Sequence, residues 1–312
     1  MIGGRTSAPS TPSAGLPEPV ALLLAFVAGI GVALQAYVNG KLAGEVGSTL
    51  LASLLSFAVG LLVLLALALA RGALPAGWAR LRQAHRVPAW YFAGGLGGAY
   101  LVTSSAGAAP KIGVALVTVA LVAGQTGGSL GVDSAGLGPG GRQRATPSRL
   151  VGVGLAVAAV LLSAFGGGNR GNLHLGLLLL VAVAGVGVAF QQAANGRLQQ
   201  VSGDTVFAAV SNFAVGTVVL AVLLAVTSPS GTTLAASPLL YAGGLLGAGF
   251  VLTAAATVRV LGVLRLSLAA IAGQSAGALV LDAIDPAPGR HLTALTVAGV
   301  VLTFVAVAVS RR

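Results

Sequence analysis

The side chains best suited to chemistry in the apolar part of this sequence are amides, and four of them come as two matched pairs. Asn39 follows Gln35 by four residues, and Asn195 follows Gln191 by the same interval. Residues four apart share one face of a helix. Amides in apolar helices either bind a polar solute or join one helix to another, and the spacing alone leaves both roles open.

Two further glutamines, Gln125 and Gln274, are each followed eight residues later by an aspartate, Asp133 and Asp282. Such a carboxylate can bind a cation, carry a proton, pair with an arginine or hold a helix end. We therefore predict a substrate pathway formed by the six amides, and we treat the two aspartates as candidates for coupling or gating. The six amides are Gln35, Asn39, Gln125, Gln191, Asn195 and Gln274.

The composition requires a lipid environment for these residues. Of the 312 residues 56% are hydrophobic and 7% are charged, whereas soluble domains carry about 25% charged residues. The net charge of +11 comes from arginines scattered through short polar segments, which do not make the continuous basic surface that nucleic acid requires. The expected partners are a small-molecule substrate and membrane lipid, without nucleic acid, for a monomer or a homodimer.

The same inventory argues against catalysis. There is no cysteine, and the three histidines, His85, His174 and His291, fall in loops or at the ends of apolar segments. No H-E-x-x-H motif and no pair of carboxylates on one apolar segment is present. We expect no catalytic residue, no metal site and no cofactor, and with no G-x-x-x-x-G-K-[ST] motif any active transport would draw on a gradient.

Ten apolar runs are long enough to cross a bilayer, which takes about 20 residues in a helix. Residues 1–17 are rich in Ser, Pro and Gly and are predicted to form a disordered tail. Only Pro110 and Lys111 separate the third and fourth runs, which predicts a tight connection. The runs lie near residues 19–39, 49–70, 89–109, 112–132, 149–166, 174–195, 204–227, 238–257, 261–281 and 292–310.

The two halves of the chain are similar to each other. Residues 31–60 match residues 187–216 at 14 of 30 positions, and residues 94–133 match residues 243–282 at 16 of 40. Apolar composition raises chance identity but does not explain the matched Gln, Asn and Asp residues. The number of positions between matched residues is smaller in the second pair of segments than in the first. The reason is that the arginine-bearing loop at 71–88 has a shorter counterpart in the second half.

An odd number of spans in each half gives the second half the opposite orientation in the membrane. The sequence therefore predicts an all-α integral membrane protein of ten transmembrane helices, arranged as a 5+5 inverted-topology repeat. The predicted repeats are residues 18–168 and 169–312. Many secondary transporters have this architecture, with the substrate bound between the repeats. The repeated glycines at a spacing of four, as in Gly94/Gly98 and Gly273/Gly277, predict close helix packing.

Charge predicts the orientation, because loops rich in Arg and Lys stay in the cytoplasm. With ten spans both termini lie on one side, and thirteen of the seventeen Arg and Lys residues fall on that side. We therefore expect both termini in the cytoplasm. The thirteen are Arg5, Arg71, Arg80, Arg82, Arg86, Arg142, Arg144, Arg149, Arg197, Arg259, Arg265, Arg311 and Arg312, and the other four are Lys41, Lys111, Arg170 and Arg290.

These motifs resemble the YdcZ-like branch of the drug/metabolite transporter superfamily. The resemblance rests on the G-x-x-x-Q-x-x-x-N-G-x-L stretch from Gly31, the S/N-F-A-x-G element, the G-G-x-x-G-A helix and the G-Q…D helix. It implies two five-helix units fused in tandem, with helices 1–4 and 6–9 around a central cavity and helices 5 and 10 at the periphery. A membrane-embedded Glu, found in the first helix of the small multidrug members, is absent from this sequence.

The function expected from these features is secondary transport of a small organic solute, a metabolite or drug-like molecule, by alternating access across a bacterial inner membrane. A channel-like protein and a non-transporting membrane scaffold remain the alternatives. An inverted repeat favours a carrier over a channel.

Overall fold

The computed structural model describes residues 16–84, 86–166, 175–227, 231–235, 237–288 and 291–309, and these residues form helices and connecting loops without a β-strand. Helices suit a bilayer because every backbone N–H and C=O inside them is satisfied within the segment. Most of the predicted N-terminal tail, residues 1–15, lies outside the described residues. Short 3-10 turns, Ala89–Phe92 and Pro238–Ala242, lead into α4 and α9. The helices are α1 Glu18–Val46, α2 Thr49–Ala70, α3 Ala73–Gln83, α4 Gly94–Ile112, α5 Val114–Ser134, α6 Pro147–Gly166, α7 Leu175–Ser202, α8 Thr205–Thr227, α9 Gly243–Ile284 and α10 Ala294–Val309.

Six helices in the described ranges have the length and apolar composition to cross a membrane. Shorter apolar helical segments are Pro238–Ala254, Ala269–Ile284 and Ala294–Val309. Large apolar side chains such as Leu62, Leu179 and Val218 are more than half exposed, as expected for surfaces that face lipid. The six helices are Glu18–Val46, Thr49–Ala70, Val114–Ser134, Pro147–Phe165, Leu175–Ser202 and Thr205–Thr227.

The structure differs from the sequence prediction in the 71–88 segment, where Ala73–Gln83 forms the short helix α3 and not a loop. Its buried side carries Ala73, Gly77 and Leu81, and Phe207 of α8 packs against Gly77. The prediction missed this helix because it is too short and too polar to span a membrane. By contrast, the predicted tight connection near Pro110 is present, since Gly113 alone separates α4 from α5.

Helix α9 and the 3-10 turn before it together cover both of the predicted spans, 238–257 and 261–281. A straight helix of 42 residues would be about 63 Å long. Yet its first residue, Gly243, lies against Asn39 of α1, and Asp285, just beyond its last residue, accepts a hydrogen bond from Tyr37 at 2.7 Å. The path must therefore reverse within α9, which gives it two apolar arms. Leu261, between the arms, packs near the other end of α1 with Ala21.

The helix crossings repeat across the two halves. A Cβ built on Gly29 of α1 would lie 2.9 Å from the backbone nitrogen of Gln274 in α9, and one on Gly185 of α7 would lie 2.5 Å from that of Gln125 in α5. Gly29 and Gly185 are matched positions in the repeat, as are Gln274 and Gln125. Each half thus packs its first helix on the fourth predicted span of the other half.

The neighbouring crossing is repeated as well. A Cβ on Gly95 of α4 would lie 2.7 Å from the nitrogen of Gly216 in α8, and one on Gly244 of α9 would lie 2.7 Å from the nitrogen of Gly60 in α2. Helix α6 packs mainly on α10, and this pair contacts the rest of the described helices chiefly through α5 and α9. The resemblance described above implied this peripheral position for the fifth and tenth helices.

Candidate substrate pathway

A chain of amides connects α7 to α8. Gln191 donates from Nε2 to Oδ1 of Asn212 at 3.2 Å, and Asn212 donates from Nδ2 to Oδ1 of Asn195 at 3.1 Å. Asn212 is 3% exposed. The structure therefore brings together one predicted pair, Gln191 and Asn195, through a third amide. Sequence reasoning did not select Asn212, although it is a polar residue within an apolar helix.

Glycines on α4 leave room for these amides to pack. Because α4 carries no side chain at Gly94 and Gly98, the amides lie directly against its backbone. A Cβ built on Gly98 would lie 3.0 Å from Nε2 of Gln191, and one on Gly94 would lie 3.3 Å from Cγ of Asn195. The predicted close packing at these glycines is confirmed, and the groups packed there are the candidate pathway amides. We call Gln191, Asn195 and Asn212 the second-half cluster.

The matched surface is built the same way. A Cβ built on Gly247 of α9 would lie 2.8 Å from Nε2 of Gln35, and one on Gly243 would lie 2.8 Å from Cγ of Asn39. The repeat places Ser56 where the other half has Asn212. We call Gln35, Asn39 and Ser56 the first-half cluster.

Hydrogen bonding differs between the two clusters. Asn39 and Ser56 are each 1% exposed. Within the part of the chain that the structure describes, Oδ1 of Asn39 and Oγ of Ser56 have no hydrogen-bond partner. In the second-half cluster Oδ1 of Asn195 has a partner because Asn212 reaches it. An unpaired buried polar atom is costly, by about 1–3 kcal/mol.

The other two candidate glutamines, Gln125 and Gln274, lie at the helix crossings. Their backbone nitrogens face Gly185 and Gly29, and their side chains are partly buried. Gln274 thus lies beside Gly29 of α1. Gly29 is six positions before Gln35, which is roughly 9 Å along the helix. Both glutamines lie outside the hydrogen-bonded second-half cluster.

The two candidate aspartates occupy different environments. Asp282 accepts the backbone N–H of Val114 at 2.7 Å and that of Ala115 at 2.8 Å, so it caps the first turn of α5. Asp133 pairs with Arg149 at 3.0 Å. The sequence left open a cation site, a proton carrier, an arginine partner and a helix-end contact. The geometry supplies the helix-end contact for Asp282 and the arginine partner for Asp133.

Next to the first-half cluster, Asp285 lies between a lysine and a tyrosine. It pairs with Nζ of Lys41 and accepts the hydrogen bond of Tyr37 at 2.7 Å. The hydrogen bond from Lys41, together with that from Tyr37, lowers the pKa of Asp285 below its ordinary value. Sequence reasoning missed these contacts because Lys41 is 244 positions and Tyr37 is 248 positions from Asp285 along the chain.

Arginines at the opposite end of the bundle bond to the backbone of neighbouring loops. Arg80, on α3, donates to the carbonyl of Ser202 at 2.9 Å. Arg197 donates to the carbonyls of Leu137 and Gly136, both at 3.0 Å. These contacts gather the arginine-bearing segments after α2 and after α5 at the end of α7 that carries Arg197.

Comparison with known proteins identifies the family. The family model described as "Putative inner membrane exporter, YdcZ" matches residues 20–162 and again residues 176–309. No curated protein and no solved structure matches the chain detectably. The two matched segments contain the two halves of the internal repeat and together cover most of the chain. The chain therefore belongs to the YdcZ family of the drug/metabolite transporter superfamily, with the family unit present twice in tandem.

Proposed function

We propose that this protein is a secondary transporter that exports a small organic solute, a metabolite or a drug-like molecule, across the bacterial inner membrane by alternating access. The observation that carries the proposal is the repeated placement of amides on glycine surfaces. Gln35 and Asn39 lie on Gly247 and Gly243, while their repeat mates lie on the matched glycines of α4. Repeat-related surfaces of this kind are what alternating access requires, because each half adopts in turn the arrangement of the other.

Under this proposal the chain crosses the membrane ten times, with repeats at residues 18–168 and 169–312 and both termini in the cytoplasm. The arms of α9 supply the eighth and ninth spans. The orientation is supported by the contacts of Arg80 and Arg197, since the arginine-rich segments after α2 and after α5 meet at the end of α7 that carries Arg197, and such ends stay cytoplasmic. Lys41 and Asp285 then lie toward the periplasm.

The substrate pathway in this proposal runs between the first-half cluster and the second-half cluster. Gln125 and Gln274, at the crossings of α5 with α7 and of α9 with α1, would extend this pathway. A pathway lined by uncharged amides suits a neutral or weakly charged solute. Asp133 and Asp282 would support the moving helices through their ion pair and cap, which leaves coupling to be tested separately.

A counterflow experiment distinguishes a carrier from the two alternatives, a channel and a scaffold. Purified protein is first screened against metabolites and drugs by thermal shift, because a ligand stabilises the state that it binds. Proteoliposomes loaded with the strongest unlabelled ligand are then given a trace of the labelled ligand outside. A carrier accumulates label transiently, a channel only equilibrates it, and a scaffold passes none. Failure of every stabilising ligand to show transient accumulation would overturn the proposal.

Substitutions in the two clusters link this activity to the structure. We expect Gln35→Ala and Gln191→Ala to reduce the initial counterflow rate at equal protein content. The matched control is Gln192→Ala, on the same helix α7 but on an exposed position. Normal rates in both cluster variants would show that the pathway lies elsewhere.

A further inference from the structure

The two clusters are related by the repeat but are chemically unequal, and the difference lies at a single position. Asn212 joins Gln191 to Asn195, whereas Ser56 of α2 holds the matched position of the repeat. A serine side chain has two fewer heavy atoms than asparagine, so it is too short to make both bonds. Two buried polar atoms of the first-half cluster, Oδ1 of Asn39 and Oγ of Ser56, have no hydrogen-bond partner among the described residues.

These two oxygens define the kind of group that would complete the cluster. An amide oxygen only accepts hydrogen bonds, and a hydroxyl oxygen can both accept and donate. A group carrying an N–H or O–H would therefore satisfy Asn39 and could also bond Ser56. The absent part of an asparagine side chain is about as large as a water molecule, which restricts the occupant to a small polar tip.

Charge restricts the occupant further. Two carboxylates of the α9 region at this end of the bundle already have partners, since Asp285 pairs with Lys41 and Asp282 caps α5 at Val114. A cation buried beside one amide and one hydroxyl would lose its hydration without meeting an opposite charge, which is strongly unfavourable. An uncharged donor avoids this cost.

We propose that Gln35, Asn39 and Ser56 form a recognition site for an uncharged N–H or O–H donor, such as a primary amide or a hydroxyl of the solute. In the second-half cluster the corresponding place is taken by Asn212, which bonds to both Gln191 and Asn195. The inference rests on the proposed function only in treating the donor as part of the cargo, because binding itself does not require transport.

The test uses the full-length protein in deuterated detergent and two small amides as probes. Acetamide carries two N–H donors, and N,N-dimethylacetamide carries none. Saturation-transfer NMR detects such weak binding directly. We expect transfer to acetamide on the wild-type protein and much weaker transfer to the dimethyl analogue, because a site built for a donor rejects a ligand that lacks one.

Filling the site from the protein side should weaken this binding. In the Ser56→Asn variant the new amide can bridge Gln35 and Asn39 as Asn212 bridges its neighbours, so we expect a higher Tm and a loss of acetamide affinity of roughly tenfold. If this variant does not fold, Ser56→Ala removes the hydroxyl without adding bulk, and a weaker acetamide signal is expected. Ser53→Ala is the matched control, because Ser53 is buried on the same helix and its hydroxyl already bonds to Thr49.

Three results would overturn the inference: equal transfer to the two amides, no transfer to either, or an acetamide signal that is undiminished in both Ser56 variants. No transfer to either amide is the result expected of a site that holds only water. The outcome is separable from the proposed function. Counterflow without acetamide binding would reject this site and retain transport. Acetamide binding without counterflow of any stabilising ligand would retain the site and reject transport.

Discussion

Asp282 caps α5 from another helix, because its carboxylate accepts the backbone N–H of Val114 at 2.7 Å. The first N–H groups of a helix have no partner inside the helix, and a negative charge there is stabilised by the helix dipole. Gly113, with a φ of 82°, makes the turn that exposes them. The cap joins the second half of the chain to the first, at the boundary between α4 and α5.

Removing this cap should destabilise the protein and leave the pH dependence of transport unchanged. We expect Asp282→Ala to lower stability by about 1–2 kcal/mol, the usual range for loss of an N-cap, and Asp282→Asn to lower it less because one acceptor oxygen remains. Thermal unfolding in detergent measures both changes.

A coupling role for Asp282 predicts a different result in transport. If the carboxylate carried a proton, Asp282→Asn would abolish the pH dependence of uptake while leaving counterflow intact. If it is a cap, the pH dependence stays that of the wild-type protein and only the amount of folded protein falls. Asp133→Asn offers the comparison at the matched position, where loss of the pair with Arg149 is expected to have a smaller effect on stability, since partly exposed ion pairs contribute about 0–1 kcal/mol.

The glycine crossings provide a sharper test of the packing. A Cβ on Gly273 would lie 2.7 Å from the carbonyl carbon of Phe26 in α1, which is backbone and cannot rotate away. We expect Gly273→Ala to lower the free energy of unfolding by roughly 1–3 kcal/mol, as overpacking commonly does. Its repeat mate, Gly124→Ala, should behave alike because Gly124 meets Ala182 in the same way.

Gly154→Ala is the control for both substitutions. Gly154 is a helical glycine of α6, and apart from its chain neighbours and its own helix backbone no atom of the described residues lies within 4 Å of its built Cβ. Replacing it should be neutral or stabilising by up to about 1 kcal/mol, because alanine favours the helix more than glycine does. Equal effects at positions 154 and 273 would mean that helix propensity, and not the crossing, accounts for the change.

The sequence predicted features that depend on local composition and on the repeat. Spans appear as long apolar runs, and matched residues such as Gln35 and Gln191 are visible by comparing the halves. It did not predict contacts that depend on how helices meet. Asn212 was missed because its repeat mate is a serine, so the comparison of identical residues passed over it.

The remaining misses have similar physical causes. Asp285 is far from Lys41 along the chain, and only the fold brings them together. Helix α3 carries too few apolar residues to register as a span. The repeat gave Asp133 and Asp282 the same expected role, yet the loop after each helix differs, and one aspartate meets an arginine while the other meets a helix end.

The contacts of Asp285 predict that the stability of the folded protein depends on pH. Its pKa is lowered in the folded protein by hydrogen bonds from Lys41 and Tyr37, so the interaction stabilises the fold fully above the ordinary aspartate pKa of about 3.9. The contribution declines as the pH falls below that value and is lost once the pH passes the lower folded pKa. The Tm difference between the wild-type protein and Asp285→Asn should therefore be constant near neutral pH and shrink under acid conditions.

Two controls separate this effect from a general response to acid. Lys41→Met should show the same convergence with the wild-type protein, and high salt should reduce the neutral-pH difference because the pair is partly exposed. A Tm difference that does not change between neutral and acid pH would show that the ionised form of Asp285 contributes nothing.

The absence of cysteine makes the orientation directly measurable. Glu45→Cys lies after the first-half cluster, and Arg144→Cys lies in the loop between α5 and α6; both positions are exposed. With both termini in the cytoplasm, a membrane-impermeant maleimide added to intact cells should label position 45 and reach position 144 only after the cells are opened. Gly231→Cys, exposed in the loop beside Val46, should label like position 45, because the inverted repeat brings those loops to one side. Labelling of position 144 in intact cells would reverse the orientation, and labelling of positions 45 and 231 on different sides would contradict the inverted repeat.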